Sequence, residues 1–306
     1  MNEQESSFRT STDDEDISDV VYNFYGNRLA FATNNKIKVF DKEENGTWRE
    51  FKPHIAAGHH AQIKKLSWAH PEFGQILASC SADHRVHIYE QRERGKEFQK
   101  SCTISDFRLA VSHVAWAPRH LGLRLAAASL DGRVRVYEAE DVMNLGSFSL
   151  QAEFEAERGI PVEMYLAWNM SRFNEPMMVT GSQGIKVWMY DEGKRRWGRV
   201  ASDELVGQEN RVTDVAWAPN LGRSYHLIAA ACSNTVRIYE LTEHAEDRWE
   251  MKPPKEFKIP PQVHTSNKVW RVDWNVTGTA LAASLDNGQY RVWRLDMLGE
   301  WVCDDQ

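Results

Sequence analysis

Val114-Ala115-Trp116, then Leu125-Ala126-Ala127-Ala128-Ser129, then Asp131-Gly132, then Val134-Arg135-Val136-Tyr137 is the stretch on which the fold turns. The first phrase ends in an aromatic anchor. The second is a run of small residues. Asp-Gly suits the tight turn of a hairpin, where one residue must take a positive φ. The last phrase alternates β-branched and charged side chains with period two, which reads as a half-buried strand. Three strands in this order make a meander.

The same phrases recur along the chain. Anchors close Val20-Val21-Tyr22, Leu66-Ser67-Trp68, Leu166-Ala167-Trp168, Val215-Ala216-Trp217 and Val272-Asp273-Trp274. From Tyr22 onward the six anchors stand 46, 48, 52, 49 and 57 residues apart. About twenty residues after each comes an alternating strand, such as Ile37-Lys38-Val39-Phe40 or Val236-Arg237-Ile238-Tyr239, and a small-residue strand lies between. A less regular fourth strand follows, as at Thr47 to Lys52 and Ser147 to Glu153. Four short antiparallel strands on such a period are the pattern of an all-β, WD-repeat β-propeller. The repeat supplies six blades and accounts for much of the unusual supply of twelve tryptophans.

Composition narrows the function. The 306 residues carry a net charge of −7, which leaves no footprint for nucleic acid. No apolar run is long enough for a membrane-spanning helix. The start, with Asp13 to Asp16 and no apolar core, reads as an acidic tail over residues 1–17 rather than a secretory signal. The propeller is placed at 18–306, with a charged and proline-containing loop insert at 241–262. Cys80, Cys102, Cys232 and Cys303 lie far apart and fit reduced, packing thiols.

Ring closure is left open by arithmetic. After Trp293 only the segment around Glu300-Trp301-Val302-Cys303 remains, and it serves as the sixth blade's own outer strand. No N-terminal strand is left to lend to the last blade. The ring is therefore either closed with six blades or open with exposed sheet edges, which proteins normally cover.

Several stretches carry a family resemblance. Trp68 to Ser81 (Trp-Ala-His-Pro-Glu-Phe-Gly-Gln-Ile-Leu-Ala-Ser-Cys-Ser) resembles the second-blade motif of the Sec-thirteen group of coat propellers. Gly122 to Ala126, Asp131 to Glu138, Asp141 to Leu145 and Pro176 to Ser182 resemble the nuclear pore members, the Seh-one type, more than the vesicle-coat members. The resemblance covers roughly residues 17–303, with departures in the first blade and in the 241–262 insert.

It implies an open six-bladed propeller completed in trans by a blade from an α-solenoid nucleoporin of the Y-shaped pore subcomplex. Other Y-complex subunits would be neighbours, and the role would be scaffolding that supports pore assembly, protein import and mRNA export at the nuclear envelope. It further implies membership of a vacuolar or lysosomal complex regulating TORC-one signalling, held peripherally on the cytoplasmic side of that membrane. The alternative is a vesicle-coat propeller of ER exit sites. On the scaffold reading the partner-binding residues are Val20, Val21, Tyr22 and Phe24 in blade one, and Trp301 and Val302 at the end of blade six.

Enzyme chemistry finds no support. His54, His59 and His60 form the densest histidine group, without a fourth ligand at zinc spacing. Gly58-His59 instead reads as a structural pair reaching a turn carboxylate such as Asp83. Ser81, Asp83 and His84 are turn residues rather than a triad, and neither a GxSxG elbow nor a phosphate-cradling glycine loop occurs. Basic clusters at Arg92 to Lys96 and Lys194 to Arg199 read as solvated turns. No catalytic residue, metal or cofactor is assigned.

Overall fold

The computed structural model describes residues 16–55, 58–93, 97–159, 161–204, 211–244, 248–260, 267–296 and 299–304. Their strands form six antiparallel sheets, the blades of a β-propeller, each built from consecutive strands in chain order. Blade one is β1 (Ile17–Tyr22), β2 (Arg28–Thr33), β3 (Lys36–Lys42) and β4 (Trp48–Ile55). Blade two is β5 (Ile63–Trp68), β6 (Gln75–Ser81), β7 (Val86–Gln91) and β8 (Gln99–Ile104). Blade three is β9 (Val111–Trp116), β10 (Arg124–Ser129), β11 (Arg133–Ala139) and β12 (Phe148–Glu155). Blade four is β13 (Tyr165–Trp168), β14 (Met177–Gly181), β15 (Gly184–Asp191) and β16 (Arg196–Glu204). Blade five is β17 (Val212–Trp217), β18 (Tyr225–Cys232), β19 (Thr235–His244), β20 (Arg248–Met251) and β21 (Lys255–Lys258). Blade six is β22 (Val269–Trp274), β23 (Ala280–Leu285), β24 (Tyr290–Leu295) and β25 (Trp301–Asp304).

The sequence phrases explain these elements. Every anchor ends a first strand, and every small-residue run is a second strand. Small side chains let neighbouring sheets pack on both faces of the second strand, so Ala229, Ala230 and Ala231 of blade five are fully buried. The turns into third strands use positive φ at Asn34, His84 and Ser233. Gly132 does so at φ 80°, and a Cβ there would also run into the Glu157 main-chain carbonyl.

The chain forms two compact units. One holds residues up to 151 apart from 120–122 and 132–134, and the other holds those two segments and everything from 152. In the first, a cluster including Ala30, Ile37, Val39, Ile63, Leu66 and Tyr89 joins blades one and two. A larger one, with Ile76, Cys80, Ile88, Val111, Trp116 and Leu125, joins blades two and three. In the second, Met177, Val187, Val215, Trp217, Ile228 and Tyr239 join blades four and five. Ala229, Ile238, Val272, Trp274, Leu281 and Trp293 join blades five and six.

Three details differ from the sequence reading. The first strand begins at Ile17 and ends at Tyr22, which leaves Phe24 in the following turn; residues 1–15 of the acidic tail lie outside the described residues. The 241–262 segment is not a loop where it is described. Its β20 pairs with Leu241–His244 and its β21 with Thr235–Ile238. Trp249, Met251 and Phe257 pack inward between exposed charges, a short alternation hidden by the flanking prolines. Lys252-Pro253-Pro254 splits this outer strand, since proline offers no N–H to the ladder. Lastly, Arg196 to Arg199 lie on β16 rather than in a turn. Trp197 there packs against Phe154, Trp168 and Tyr190 at 5.6, 5.7 and 5.6 Å.

Candidate docking surfaces on the terminal blades

Within each unit, consecutive blades are sealed along their first strands by a repeated set of hydrogen bonds. In three of the four seams within the units the anchor indole of the later blade donates to a main-chain carbonyl of the earlier one, whereas the Trp217 indole at the seam of blades four and five has no hydrogen-bond partner among the described residues. Trp68 donates to Val21 (3.4 Å), Trp116 to Ser67 (3.0 Å) and Trp274 to Ala216 (3.2 Å). The N–H that opens the later strand donates to the preceding blade's turn: Ile63 to Asn34 at 2.7 Å, Val212 to Ser182 at 2.8 Å and Val269 to Ser233 at 2.7 Å. Two residues before the anchor, the N–H groups of Leu66 and Val272 donate to the buried carboxylates of Asp19 (2.9 Å) and Asp214 (3.1 Å). Charge-assisted bonds of this kind are stronger than neutral ones. Lys65 adds an ion pair to Asp19 at 2.9 Å. The Thr213 hydroxyl runs the other way, donating to the Val269 carbonyl at 2.7 Å.

Blade six breaks a regularity of the second strands. Apart from their first residue, β6, β10 and β18 are buried throughout, and β14 is buried from end to end. In β23, Leu281, Ala283 and Leu285 are buried but Ala282 and Ser284 are exposed. The strand register puts these two on one sheet face. Asp273, Ala282 and Val292 lie abreast, as do Arg271, Ser284 and Tyr290, and then Ala280, Arg294 and Val302. In blade five the first two rows read Ala216, Ala229, Ile238 and Asp214, Ala231, Val236, and that face seats blade six. The exposed face of blade six thus repeats a blade-seating face with more polar and aromatic content. Trp270 is 52% exposed, Tyr290 55% and Val302 49%.

Blade one is also two-faced. Asp19 and Val21 turn toward blade two, whereas Val20 (50% exposed) and Tyr22 (56%) point to solvent. Behind them Leu29, Phe31 and Phe40 form a small buried cluster that Trp48 joins, and the Tyr22 ring lies 5.9 Å from Trp48. Both surfaces are flat strand faces mixing aliphatic, aromatic and small side chains.

The residues singled out from sequence are therefore sorted by the structure. Val20, Tyr22 and Val302 are exposed. Val21 is half-buried against the blade-two core, and its carbonyl is already the acceptor for Trp68. Phe24 is exposed in its turn, with its ring 4.7 Å from His70 and 5.2 Å from Tyr25. Trp301 packs on Trp274 at 5.6 Å, on the core side of blade six. Sequence reasoning missed Trp270, Ala282, Ser284 and Tyr290. A partial signal existed for Trp270: its place in the repeat is held by the polar Ser18, Lys64, Ser112 and Thr213 in blades one, two, three and five, and by an apolar residue, Met164, in blade four alone.

His59 and His87 have a structural role. His59 is buried, with Nδ1 2.9 Å from Asp83 Oδ2 and Nε2 2.8 Å from Ser79 Oγ, and its ring stacks on His87 at 4.0 Å. Burial holds its pKa below the usual histidine value, against the pull of Asp83. Burial alone would raise the Asp83 carboxyl, but the His60 N–H and the His59 ring outweigh it and hold it low. The side chain of His54 lies outside the described residues. Among the described residues no group of three or more His, Cys, Asp or Glu side chains could hold a metal ion. Among the described residues no helix is long and apolar enough to cross a membrane.

Comparison with known proteins completes the picture. The WD domain, G-beta repeat family profile matches residues 52–90 and 256–294. The chain is 37% identical over 312 residues to Nucleoporin SEH1 of Pongo abelii, a match covering 94% of this chain and 84% of that protein. Nucleoporin SEH1-A of Xenopus laevis is 36% identical with the same coverage. Nucleoporin SEH1 of Danio rerio is 35% identical over 94% of this chain and 83% of its own. A chain in a solved structure described as Crystal Structure of Mitotic Checkpoint Complex superposes with a TM-score of 0.66 at 19% identity. That match covers 92% of this chain and 75% of the other, and it is a likeness of fold.

Proposed function

The chain belongs to the nucleoporin SEH1 family, and on that premise we propose that it is a scaffold subunit of the nuclear pore's Y-shaped subcomplex. It works by geometry and buried area, with no turnover. In this reading an α-solenoid nucleoporin docks a β-sheet on the exposed strand face of a terminal blade, and the propeller passes that position on to other Y-complex subunits. The pore at the nuclear envelope is its place of action, in support of pore assembly, protein import and mRNA export. A second pool acts in a vacuolar or lysosomal complex that regulates TORC-one signalling, through the same propeller.

One observation carries this reading: Ala282 and Ser284 stand exposed in a second strand whose counterparts in blades two to five are buried on both faces. A sheet face left uncovered in this way can take a partner's sheet packed face to face.

Affinity purification of the chain with identification of co-isolated proteins is the test. The wild type should bring down an α-solenoid nucleoporin, and Ala282→Arg should lose it while melting at the same temperature. Co-expression with the solenoid should raise the melting temperature, because a ligand selective for the folded state stabilises it by mass action. Recovery of the same nucleoporin by the Ala282→Arg chain, or of none by the wild type, would sink the reading.

A further inference from the structure

We infer that the exposed face of blade six is a one-way seat, taking a β-sheet from another chain whose inner strand brings the hydrogen-bond donors, among them an anchor tryptophan. This rests on the reading that a sheet docks there, and it specifies that sheet's chemistry and direction.

The argument is internal to the molecule. Three of the four seams within the units show the indole bond, and in each the donor lies on the later blade and the acceptor carbonyl on the earlier; at the fourth, between blades four and five, the Trp217 indole is unpaired among the described residues and the strand-opening bond alone sets the direction. Three show the strand-opening bond with the same polarity. Blade six is the later partner of blade five and spends its donors there, through Trp274 and Val269. Its other face repeats the rows of the earlier partner, in the same register. A sheet that packs on it thus meets acceptors and must supply donors. The small side chains of Ala282 and Ser284 occupy the places of Ala229 and Ala231, which allow blade six its close approach to blade five.

Blade one shows the complementary end. Tyr22 occupies the anchor position and carries a phenol where other blades carry an indole, and it is exposed. A sheet that packs on blade one must therefore bring acceptors. The seat on blade six differs from the internal ones in one respect. Arg271 takes the position of Asp19 and Asp214, so no carboxylate there receives a strand N–H. Direction then depends on the indole and strand-opening bonds.

The probe is the chain itself with a second copy of residues 58–104, a donor-bearing blade, appended after Gln306 through a flexible linker. The copy should slow amide exchange over residues 280–285 of blade six. Trp68→Phe in the copy alone, which deletes one indole bond, should weaken docking about fivefold. Ala282→Arg in the host should abolish it for either copy, which separates lost docking from a misfolded copy. Docking of the Trp68→Phe copy as tight as that of the intact copy would overturn the one-way seat and leave the sheet-docking reading standing. Failure of the intact copy to protect residues 280–285, when circular dichroism shows it folded, would remove both.

Discussion

Trp270 and Trp274 lie four residues apart on β22, and replacing each with phenylalanine should give very different outcomes. Trp274 is buried, donates to the Ala216 carbonyl at 3.2 Å and packs on Trp301 at 5.6 Å. Phenylalanine there deletes the bond, a loss of about 1 kcal/mol. The smaller ring also leaves a void in the core shared by blades five and six, at a further 1–2 kcal/mol or so. The expected total is about 2–3 kcal/mol. Trp270 is 52% exposed, and its replacement should cost no more than about 0.5 kcal/mol. Urea unfolding of both variants beside the wild type measures this, with the slope of each transition compared to show that the same surface unfolds. Hydrogen exchange should place the weakening of Trp274→Phe at residues 212–217 and 269–274. Equal losses in the two variants would refute the assignment of opposite faces, and so would a Trp274→Phe midpoint matching the wild type.

Acid should loosen blade two. Because burial lowers the His59 pKa in the folded state, the unfolded chain takes up that proton first. This contribution is therefore complete above about pH 6.5 and is lost as pH falls below it. Urea midpoints at pH 7.5 and 5.5 should differ more for the wild type than for His59→Asn; equal differences would count against it. At Gly181, an added Cβ would lie 2.5 Å from Val215 Cγ1 and 2.6 Å from Val212 Cγ1. Gly181→Ala should cost roughly 1–3 kcal/mol by overpacking, whereas Gly198→Ala on β16 meets nothing within 4 Å and should be tolerated. Thiol titration should find Cys303 reactive in the native protein and Cys102 less so, since partial burial pushes its thiol up. Cys80 and Cys232 should react only after unfolding, since both are buried and burial pushes the Cys232 thiol up to about 12. Prompt labelling of Cys80 in the native protein would contradict the packing described.

Much of the architecture was readable from local chemistry. Anchors, small-residue runs and turn pairs each specify a strand or its end through side-chain size and backbone freedom, and neither depends on distant residues. The His59–Asp83 contact was legible for the same reason, since a Gly-His pair and a turn Asp occupy fixed places in a repeated unit. The strands of the 241–262 segment were not, because four-residue strands offer too short an alternation to stand out beside prolines. Trp301 was placed at a docking edge by its nearness to the chain's end, but its register opposite Leu295 turns it onto the core.

The sequence by itself determined the repeat: six units, the strands each contains, and the side-chain sizes that let sheets stack. Only the tertiary structure decided which side chains are available to a partner. With period two, Trp270 and Trp274 belong on the same face of β22. A bulge between Val269 and Arg271 shifts the register there, as do the corresponding breaks at Ile17/Asp19, Ile63/Lys65 and Val212/Asp214. The extra residue turns Trp270 outward while Trp274 stays in the core. A bulge is specified by how two strands pair across the sheet, and that pairing is set by packing against neighbouring blades.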